Sequence, residues 1–395
     1  MKSTLILFLL FFMASITACE SQTNQEDTLI DNGGIIVPVQ PTHLFIGTYT
    51  RDEGWVNGTA DGIYRLSISE DGSLSLDETA AEVINPSFVA ITGDKKNLYS
   101  VSELGRGNES TGFIHAFIVN EDLSLTFIAK YPTNAKSPAH VSIDETGKFV
   151  FVANYQGGVA MVYIRNEDGS LQFSQQLDHS GSGPHQNQNG SHTHMVKVSP
   201  DNNYLFIPDL GSDKIWSYKI NHETGSVSKT MQEFGTVAPG SGPRHMDFHP
   251  TKNLAYVMNE LNSTVSVFDY DPESGSLTDI QTITTLPSSF SDRNSTADIH
   301  VHPNGKFLYG SNRGHNSVVN YSIDEVTGEL SYLAHTSVEG EFPRNFAISP
   351  LGETLYVANQ NTNNITVFDL NAETGALSYT GESISIGTPV CIAFF

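Results

Sequence analysis

Imidazole, guanidinium and carboxylate side chains recur at two positions of a strand pair that is repeated along this 395-residue sequence. One position lies at the start of the first strand, and the other lies at the end of the second strand. Such groups can activate a water molecule, stabilise a developing negative charge and transfer a proton. The polar residues at the first position are His140, His194, Arg244, His245, Arg344 and Asn345, and those at the second position are Tyr49, Glu103, Tyr155, Asp209, Glu260, Arg313 and Gln360.

The arginines in this set stand out because the chain is strongly acidic. It has 20 Lys and Arg against 44 Asp and Glu, which gives a formal net charge of −24. We expect no nucleic-acid partner, because binding to phosphates requires clustered basic residues. A local group of arginines in an acidic chain instead indicates a small ligand that is anionic or strongly polarised.

The strand pair is part of a longer repeat. Third and fourth apolar strands and Gly-rich turns follow each pair, and corresponding residues in successive copies are 46–55 positions apart. Four short strands per repeat, rich in β-branched and aromatic residues, are typical of a β-propeller, in which each repeat forms one blade. The corresponding residues of the seven copies are Ser87, Ala139, His194, Arg244, Ala297, Arg344 and Val390.

We therefore predict an all-β chain whose residues 42–395 form a seven-bladed β-propeller. The seventh copy, residues 389–395, has a first strand but no second one, whereas an unpaired strand occurs near residues 43–50. We expect the N-terminal strands and the C-terminal strand to share the last blade, which closes the ring and hides its edge. Since the first two strands of a blade are antiparallel, the polar positions described above meet at one mouth of the central channel.

The N-terminal segment has the pattern of an export signal. Residues 5–16 form an apolar run of twelve residues, too short to cross a bilayer and suited to a signal peptide. The sequence Ile-Thr-Ala-Cys that ends at Cys19 resembles a bacterial lipobox. We predict a lipoprotein signal peptide over residues 1–18, a lipid on Cys19 and a polar tether over residues 19–41. The protein would then be exported to the cell envelope or periplasm and contact the membrane only through this lipid.

Several polar residues have a structural interpretation as well as a functional one. Glu103 and Glu260 can simply neutralise neighbouring arginines. His249 and His302 precede prolines in turns, and we expect them to be structural. The two imidazoles of His192 and His194 could bind a metal, but no cysteine or well-spaced carboxylate cluster accompanies them, so no metal or other cofactor is predicted.

Short motifs in every blade resemble those of the lactonase family of seven-bladed propellers. These include Gly-Thr-Tyr-Thr from residue 47, Gly-Ser-Gly-Pro-Arg-His from residue 240, Asn-Glu-Leu from residue 259 and Ser-Asn-Arg-Gly from residue 311. The family includes one type of bacterial 6-phosphogluconolactonase and a fungal carboxy-cis,cis-muconate cyclase. The resemblance implies a lactone-handling site with His194, Arg244, Glu260 and Arg313 as its catalytic residues. The residues that we expect to bind substrate are Glu103, His140, Tyr155, His192, His245, Arg344 and Gln360.

We predict hydrolysis of a sugar lactone by an activated water, with arginines stabilising negative charge. The partner would be a small lactone or sugar acid, and the protein a monomer. Because export conflicts with a phosphorylated cytoplasmic metabolite, an unphosphorylated lactone is an equal expectation. Two alternatives stay open: a non-catalytic cell-envelope propeller that binds a sugar or a protein, and a muconate-type enzyme that forms or isomerises lactones.

Overall fold

The computed structural model describes residues 28–30, 36–38, 41–105 and 109–395. The predicted signal peptide and Cys19 lie outside the described residues. Strands β1 (Thr28–Ile30) and β2 (Ile36–Pro38) form a short antiparallel pair that belongs to a small N-terminal unit. The main unit spans Gln40–Phe395. The described residues contain no helix long and apolar enough to cross a membrane.

The main unit consists of seven four-stranded antiparallel sheets. Short strands rich in Val, Tyr and Phe, separated by turns, favour this arrangement. Six sheets are formed by consecutive strands: β6 (Val89–Ile91), β7 (Asn97–Ser102), β8 (Phe113–Val119) and β9 (Leu125–Pro132); β10 (Pro138–Ile143), β11 (Phe149–Asn154), β12 (Val159–Arg165) and β13 (Leu171–Asp178); β14 (Lys197–Val198), β15 (Tyr204–Asp209), β16 (Lys214–Asn221) and β17 (Ser226–Thr236); β18 (Pro243–Phe248), β19 (Leu254–Asn259), β20 (Thr264–Asp271) and β21 (Ser276–Thr284); β22 (Ser295–Val301), β23 (Phe307–Arg313), β24 (Ser317–Ile323) and β25 (Leu330–Ser337); β26 (Pro343–Ile348), β27 (Thr354–Asn359), β28 (Asn364–Leu370) and β29 (Leu377–Ser385).

The seventh sheet joins the two ends of the main unit. Strand β30 (Pro389–Phe394) pairs with β3 (His43–Thr48), which is followed in the sheet by β4 (Ile63–Ile68) and β5 (Leu74–Ala81). The first strand of each sheet contacts that of the next, except between the third and fourth blades, where β15 contacts β18. Strand β30 contacts β6. The sheets therefore form a closed ring of seven blades, which confirms the predicted fold and the predicted pairing of the N-terminal strands with the C-terminal strand.

A separate apolar cluster lies between each pair of neighbouring blades. The clusters bury both faces of every sheet, and the one between the seventh and first blades includes Phe45, Val89 and Cys391. Burial raises the pKa of the Cys391 thiol to about 12, so this cysteine is a packing residue. Seven inter-blade cores thus hold the inner strands, and the side chains at their ends, in fixed positions.

Candidate active site

β-Bulges place two arginines at the same mouth of the channel. In blade four, Pro243 pairs with Asn259 and His245 pairs with Met258, so Arg244 is an extra residue in its strand. The same irregularity makes Arg344 the extra residue in blade six. A bulge turns the extra side chain away from the regular alternation of the strand, and bulges are frequent next to active sites. The local register therefore determines where these two guanidiniums lie.

The ends of the second strands supply the groups that meet these arginines. Glu260 directly follows β19, and its backbone N–H donates to the carbonyl of Gly242 at 2.7 Å. Arg313 is the last residue of β23. Each side chain is thus held by a backbone whose hydrogen bonds are already made, and the adjacent blades bring the two together.

Glu260 lies at the centre of a buried ion cluster. Its Oε2 atom is 3.0 Å from Nε of Arg244 and 2.8 Å from Nη2 of Arg313. Arg244 also donates from Nη1 to the carbonyl of Ala297 at 2.6 Å, and Arg313 donates from Nη2 to the carbonyl of Thr296 at 2.7 Å. Arg244 is 2% exposed and Arg313 is 5% exposed, so the surrounding protein fixes the positions of both guanidiniums.

The charged groups in this cluster shift one another's pKa values. Burial raises the pKa of Glu260, but Arg313, Arg244 and Arg344 lower it by more, so its pKa lies below the usual value and the group is a carboxylate at neutral pH. Burial, together with repulsion from Arg313 and Arg344, lowers the pKa of Arg244 to about 9, which leaves this guanidinium charged. Three guanidiniums around one carboxylate give the site an excess of positive charge.

A second chain of contacts fixes Arg344. Its Nη2 atom donates to the hydroxyl of Tyr49 at 3.0 Å, and that hydroxyl donates to Oε2 of Glu103 at 2.6 Å. The guanidinium also lies 5.5 Å from the centre of the Tyr49 ring. Glu103 is 3% exposed, so it acts on Arg344 through the tyrosine.

Imidazoles and aromatic rings form a second group in the site, beside the ion cluster. The rings of Tyr155 and His192 are stacked with centroids 4.9 Å apart, and Tyr155 meets His194 edge to face at 5.3 Å. His194 is 5% exposed. Burial, and then repulsion from the guanidiniums of Arg244, Arg344 and Arg313, keeps the pKa of His194 well below its usual value, so this imidazole is neutral at pH 7.

These groups surround a cavity of about 460 Å³. Apart from Cys19, eleven residues are predicted from the sequence to form the site, and seven of them line this cavity. Arg244 contacts Glu260 from behind, whereas Glu103, His140 and His245 lie deeper and do not line it. The predicted residues in the lining are Tyr155, His192, His194, Glu260, Arg313, Arg344 and Gln360.

The structure adds lining residues that the repeat pattern did not reveal. The loop before His192 contributes polar side chains, held in place because Gln188 donates to the carbonyl of Leu210 at 2.9 Å and to Asp213 at 2.7 Å. These loop residues occur once in the chain, so comparison between blades gives no signal for them. The added lining residues are Trp55, Gln156, Gln186, Asn187, Asn189, Arg293, Ser295 and Phe342.

Histidines interpreted as structural do have structural contacts. His249 makes a hydrogen bond to the carbonyl of Gly305 in the next blade at 2.9 Å, and His302 makes the same bond to Gly352 at 2.8 Å. Across residues 41–105 and 109–395, no group of three or more His, Cys, Asp or Glu is placed to hold a metal ion. His192 instead bonds the backbone carbonyl of Tyr155 and the side chain of Asn189, both at 3.1 Å.

Comparison with known proteins identifies relatives over almost the whole propeller. The chain is 36% identical over 357 residues to a 6-phosphogluconolactonase of Bacillus subtilis, covering 89% of this chain and 97% of that protein. It is 35% identical over 311 residues to a 6-phosphogluconolactonase of Formosa agariphila, covering 77% and 86% of the two chains. The solved structure of a periplasmic gluconolactonase from Pseudomonas aeruginosa is 32% identical and superposes with a TM-score of 0.83, covering 89% and 98%.

The family model described as "Lactonase, 7-bladed beta-propeller" matches residues 43–394, which is the whole ring of blades. This agrees with the resemblance found in the short sequence motifs and with the observed fold. The chain therefore belongs to the lactonase family of seven-bladed β-propellers.

Proposed function

We propose that this chain, a lactonase by family, hydrolyses a sugar lactone in the channel cavity, with His194 as the base that activates water. One observation carries the proposal: a neutral, buried imidazole in the cavity wall lies beside a cluster that holds three guanidiniums and one carboxylate. Ester hydrolysis needs a base for the attacking water and fixed positive charge for the oxyanion. The cavity offers both within one wall.

His194 is a better base than Glu260. The Glu260 carboxylate is engaged by two guanidiniums, which lowers its pKa and reduces its affinity for a proton. His194 has no such partner and is unprotonated at neutral pH, so a lone pair is available. In this assignment Glu260 holds the arginines in position.

Arg313 and Arg344 line the cavity and are the donors for the oxyanion. Both are anchored by other contacts, Arg313 by Glu260 and Arg344 by Tyr49, so they need no rearrangement as negative charge develops. Arg244 does not line the cavity and acts by holding Glu260. The excess positive charge favours the tetrahedral intermediate over the neutral lactone.

The reaction proceeds in two proton transfers. The water oxygen bonds to the lactone carbonyl carbon while a water proton passes to His194, and the carbonyl oxygen becomes an oxyanion held by the guanidiniums. Collapse of this intermediate re-forms the carbonyl and breaks the ring C–O bond. The imidazolium then returns its proton to the leaving alkoxide, and the product is an open-chain hydroxy acid.

The other side of the cavity suits a sugar. Stacked Tyr155 and His192, with Trp55 nearby in the lining, offer ring faces to a flat lactone, and polar side chains of the loop before His192 can bond its hydroxyls. Relatives named as acting on 6-phosphogluconolactone and as a periplasmic gluconolactonase support an aldonolactone. Together with the predicted signal peptide and Cys19, the latter supports an exported, lipid-anchored enzyme.

The test is proton release from δ-gluconolactone and from its 6-phosphate, measured for the purified protein. We expect His194→Ala and Arg313→Ala each to lower kcat by about 10²-fold or more while the protein stays folded. The matched control is His302→Gln, which changes a buried histidine outside the cavity and should keep wild-type turnover. Full activity of His194→Ala would refute the assignment of the base. Binding of the lactone by the wild-type protein without any proton release would favour the non-catalytic alternative.

A further inference from the structure

A second ring of channel residues lies directly below the cavity. In each blade, the ring contains the residue that directly follows the corresponding residue of the repeat, where those corresponding residues run from Ser87 in the first blade to Val390 in the last. The ring includes polar groups that the proposed mechanism does not use. His245 and Asp298 of this ring are 3% and 2% exposed. The members of the ring are Phe88, His140, Met195, His245, Asp298, Asn345 and Cys391.

Asp298 is a carboxylate held by four donors. Its Oδ1 atom accepts from Nδ1 of His245 at 2.7 Å. Its Oδ2 atom accepts from Nε2 of His300 at 3.1 Å, from Nδ2 of Asn345 and from the backbone N–H of Phe346 at 3.3 Å. Because a carboxylate only accepts, the proton of the neutral His245 ring must lie on Nδ1, and its Nε2 atom carries a lone pair.

The lone pair of His245 lies next to His194. The two ring centroids are 5.2 Å apart, about the distance at which an N–H···N bond can join two imidazoles. Nε2 of His245 and Nδ1 of His194 are both buried without a hydrogen-bond partner among the described residues. A small reorientation of either ring would pair these two atoms. His194 Nδ1 would then keep its proton, and its Nε2 atom would face the cavity as the base.

We propose that Asp298 and His245 are positioning residues that fix the tautomer of His194 through a chain of hydrogen bonds from carboxylate to imidazole to imidazole. The proposal rests on the proposed function, in which His194 accepts a proton from water. Asp298 stays ionised throughout, and the proton taken from water resides on Nε2 of His194 until it passes to the leaving alkoxide. Neither residue touches the substrate.

The contacts of Asp298 determine how Asp298→Asn behaves. Three donors point at Oδ2 and one at Oδ1, so the amide oxygen takes the Oδ2 place and the NH₂ group faces Nδ1 of His245. His245 must then accept at Nδ1 and carry its proton on Nε2. That proton points at Nδ1 of His194 and moves the proton of His194 to Nε2, where it blocks the base.

The experiment combines nitrogen-15 NMR of histidine-labelled full-length protein with kinetics. In the wild type we expect His245 and His194 to be protonated at Nδ1, and in Asp298→Asn at Nε2, with kcat lowered by about 10²-fold or more and KM close to the wild-type value. His245→Phe keeps the ring and removes both nitrogens. It should lower kcat similarly, and combining it with Asp298→Asn should give no further loss. Asp144→Asn is the matched control, since it changes another buried, hydrogen-bonded carboxylate, which has no hydrogen bond with His245 or His300 among the described residues and accepts from the backbone N–H of Phe149 at 2.7 Å.

An unchanged His194 tautomer in Asp298→Asn overturns the proposal, as would happen if Nε2 of His245 bonded His140 instead, whose ring is 5.5 Å away. Additive losses in the double variant also overturn it. These results differ from failure of the proposed function, which would appear as full activity of His194→Ala whatever the tautomers are.

Discussion

Replacing Glu260 with Gln should release the two arginines that it holds. Glutamine is the residue that follows the second strand of blade six, at Gln360, so the local backbone accepts this side chain. The neutral amide can accept from one guanidinium, but its NH₂ group faces the other. Arg244 and Arg313 would then be buried charges without a counter-ion.

The loss of folding stability caused by Glu260→Gln can be placed within a range. Removing one partner of a buried ion pair destabilises a protein by about 3–5 kcal/mol. The Glu260 side chain is 18% exposed, so water enters the site and the lower end applies, about 3 kcal/mol. For a long chain this corresponds to a fall in Tm of about 5 °C. We also expect kcat to fall by about 10²-fold, because Arg313 loses its anchor.

The assay is thermal unfolding at several pH values beside lactone hydrolysis. The pKa of Glu260 is lower in the folded protein than its ordinary value of 4.5. Its contribution to stability is therefore present above pH about 4.5 and is lost as the pH falls through the folded pKa. The difference in Tm between wild type and variant should shrink at acid pH. Glu353→Gln, which changes an exposed turn residue, is the matched control. Equal Tm and kcat in wild type and Glu260→Gln at pH 7 would refute the reasoning.

Three further outcomes are expected. Tyr155→Ala should raise KM about twofold to tenfold with little change in kcat, because a stacking face is lost, and steady-state kinetics measures this. His249→Ala should lower the free energy of unfolding by about 1–3 kcal/mol at wild-type kcat, since the bond to Gly305 in the next blade is lost; equal urea midpoints would contradict it. Burial lowers the pKa of His300, but Asp298 and Asp247 together raise it above 6.5. His300 therefore stabilises the folded protein below pH 6.5, and this stabilisation is lost as the pH rises through the folded pKa. The Tm of His300→Asn, measured against pH, tests this.

The fold and the main site residues could be predicted because the chain repeats itself. Comparison of blades shows Arg244 and Arg344 as charged residues where most other blades have small or apolar ones, and it places Glu260 among the polar residues at the ends of the second strands. Strand direction then brings them to one mouth. Asp298 also has a signal in the repeat, because it occupies the same position in its blade as His245 and Asn345 do in theirs.

Other features leave no trace in the repeat. Trp55, Arg293 and the loop residue Gln186 come from connections that differ between blades, so their approach to the cavity depends on tertiary packing. Depth in the channel is equally hidden: Glu103 and Gln360 follow the second strands of their blades, yet only Gln360 lines the cavity. The difference arises because the Glu103 side chain turns to the hydroxyl of Tyr49.

The pairing of β3 with β30 has a consequence for the synthesis of this protein. Ile46 is paired with Ile392, so β3 leaves the ribosome long before the strand with which it pairs. At about 5–20 residues per second, translation of the intervening segment takes roughly 20–70 s. During that time the first strands expose a hydrogen-bonding edge and an apolar face. Chaperones that bind the nascent chain would therefore stay bound longest at this strand. Any truncation within β30 would leave the ring of blades open.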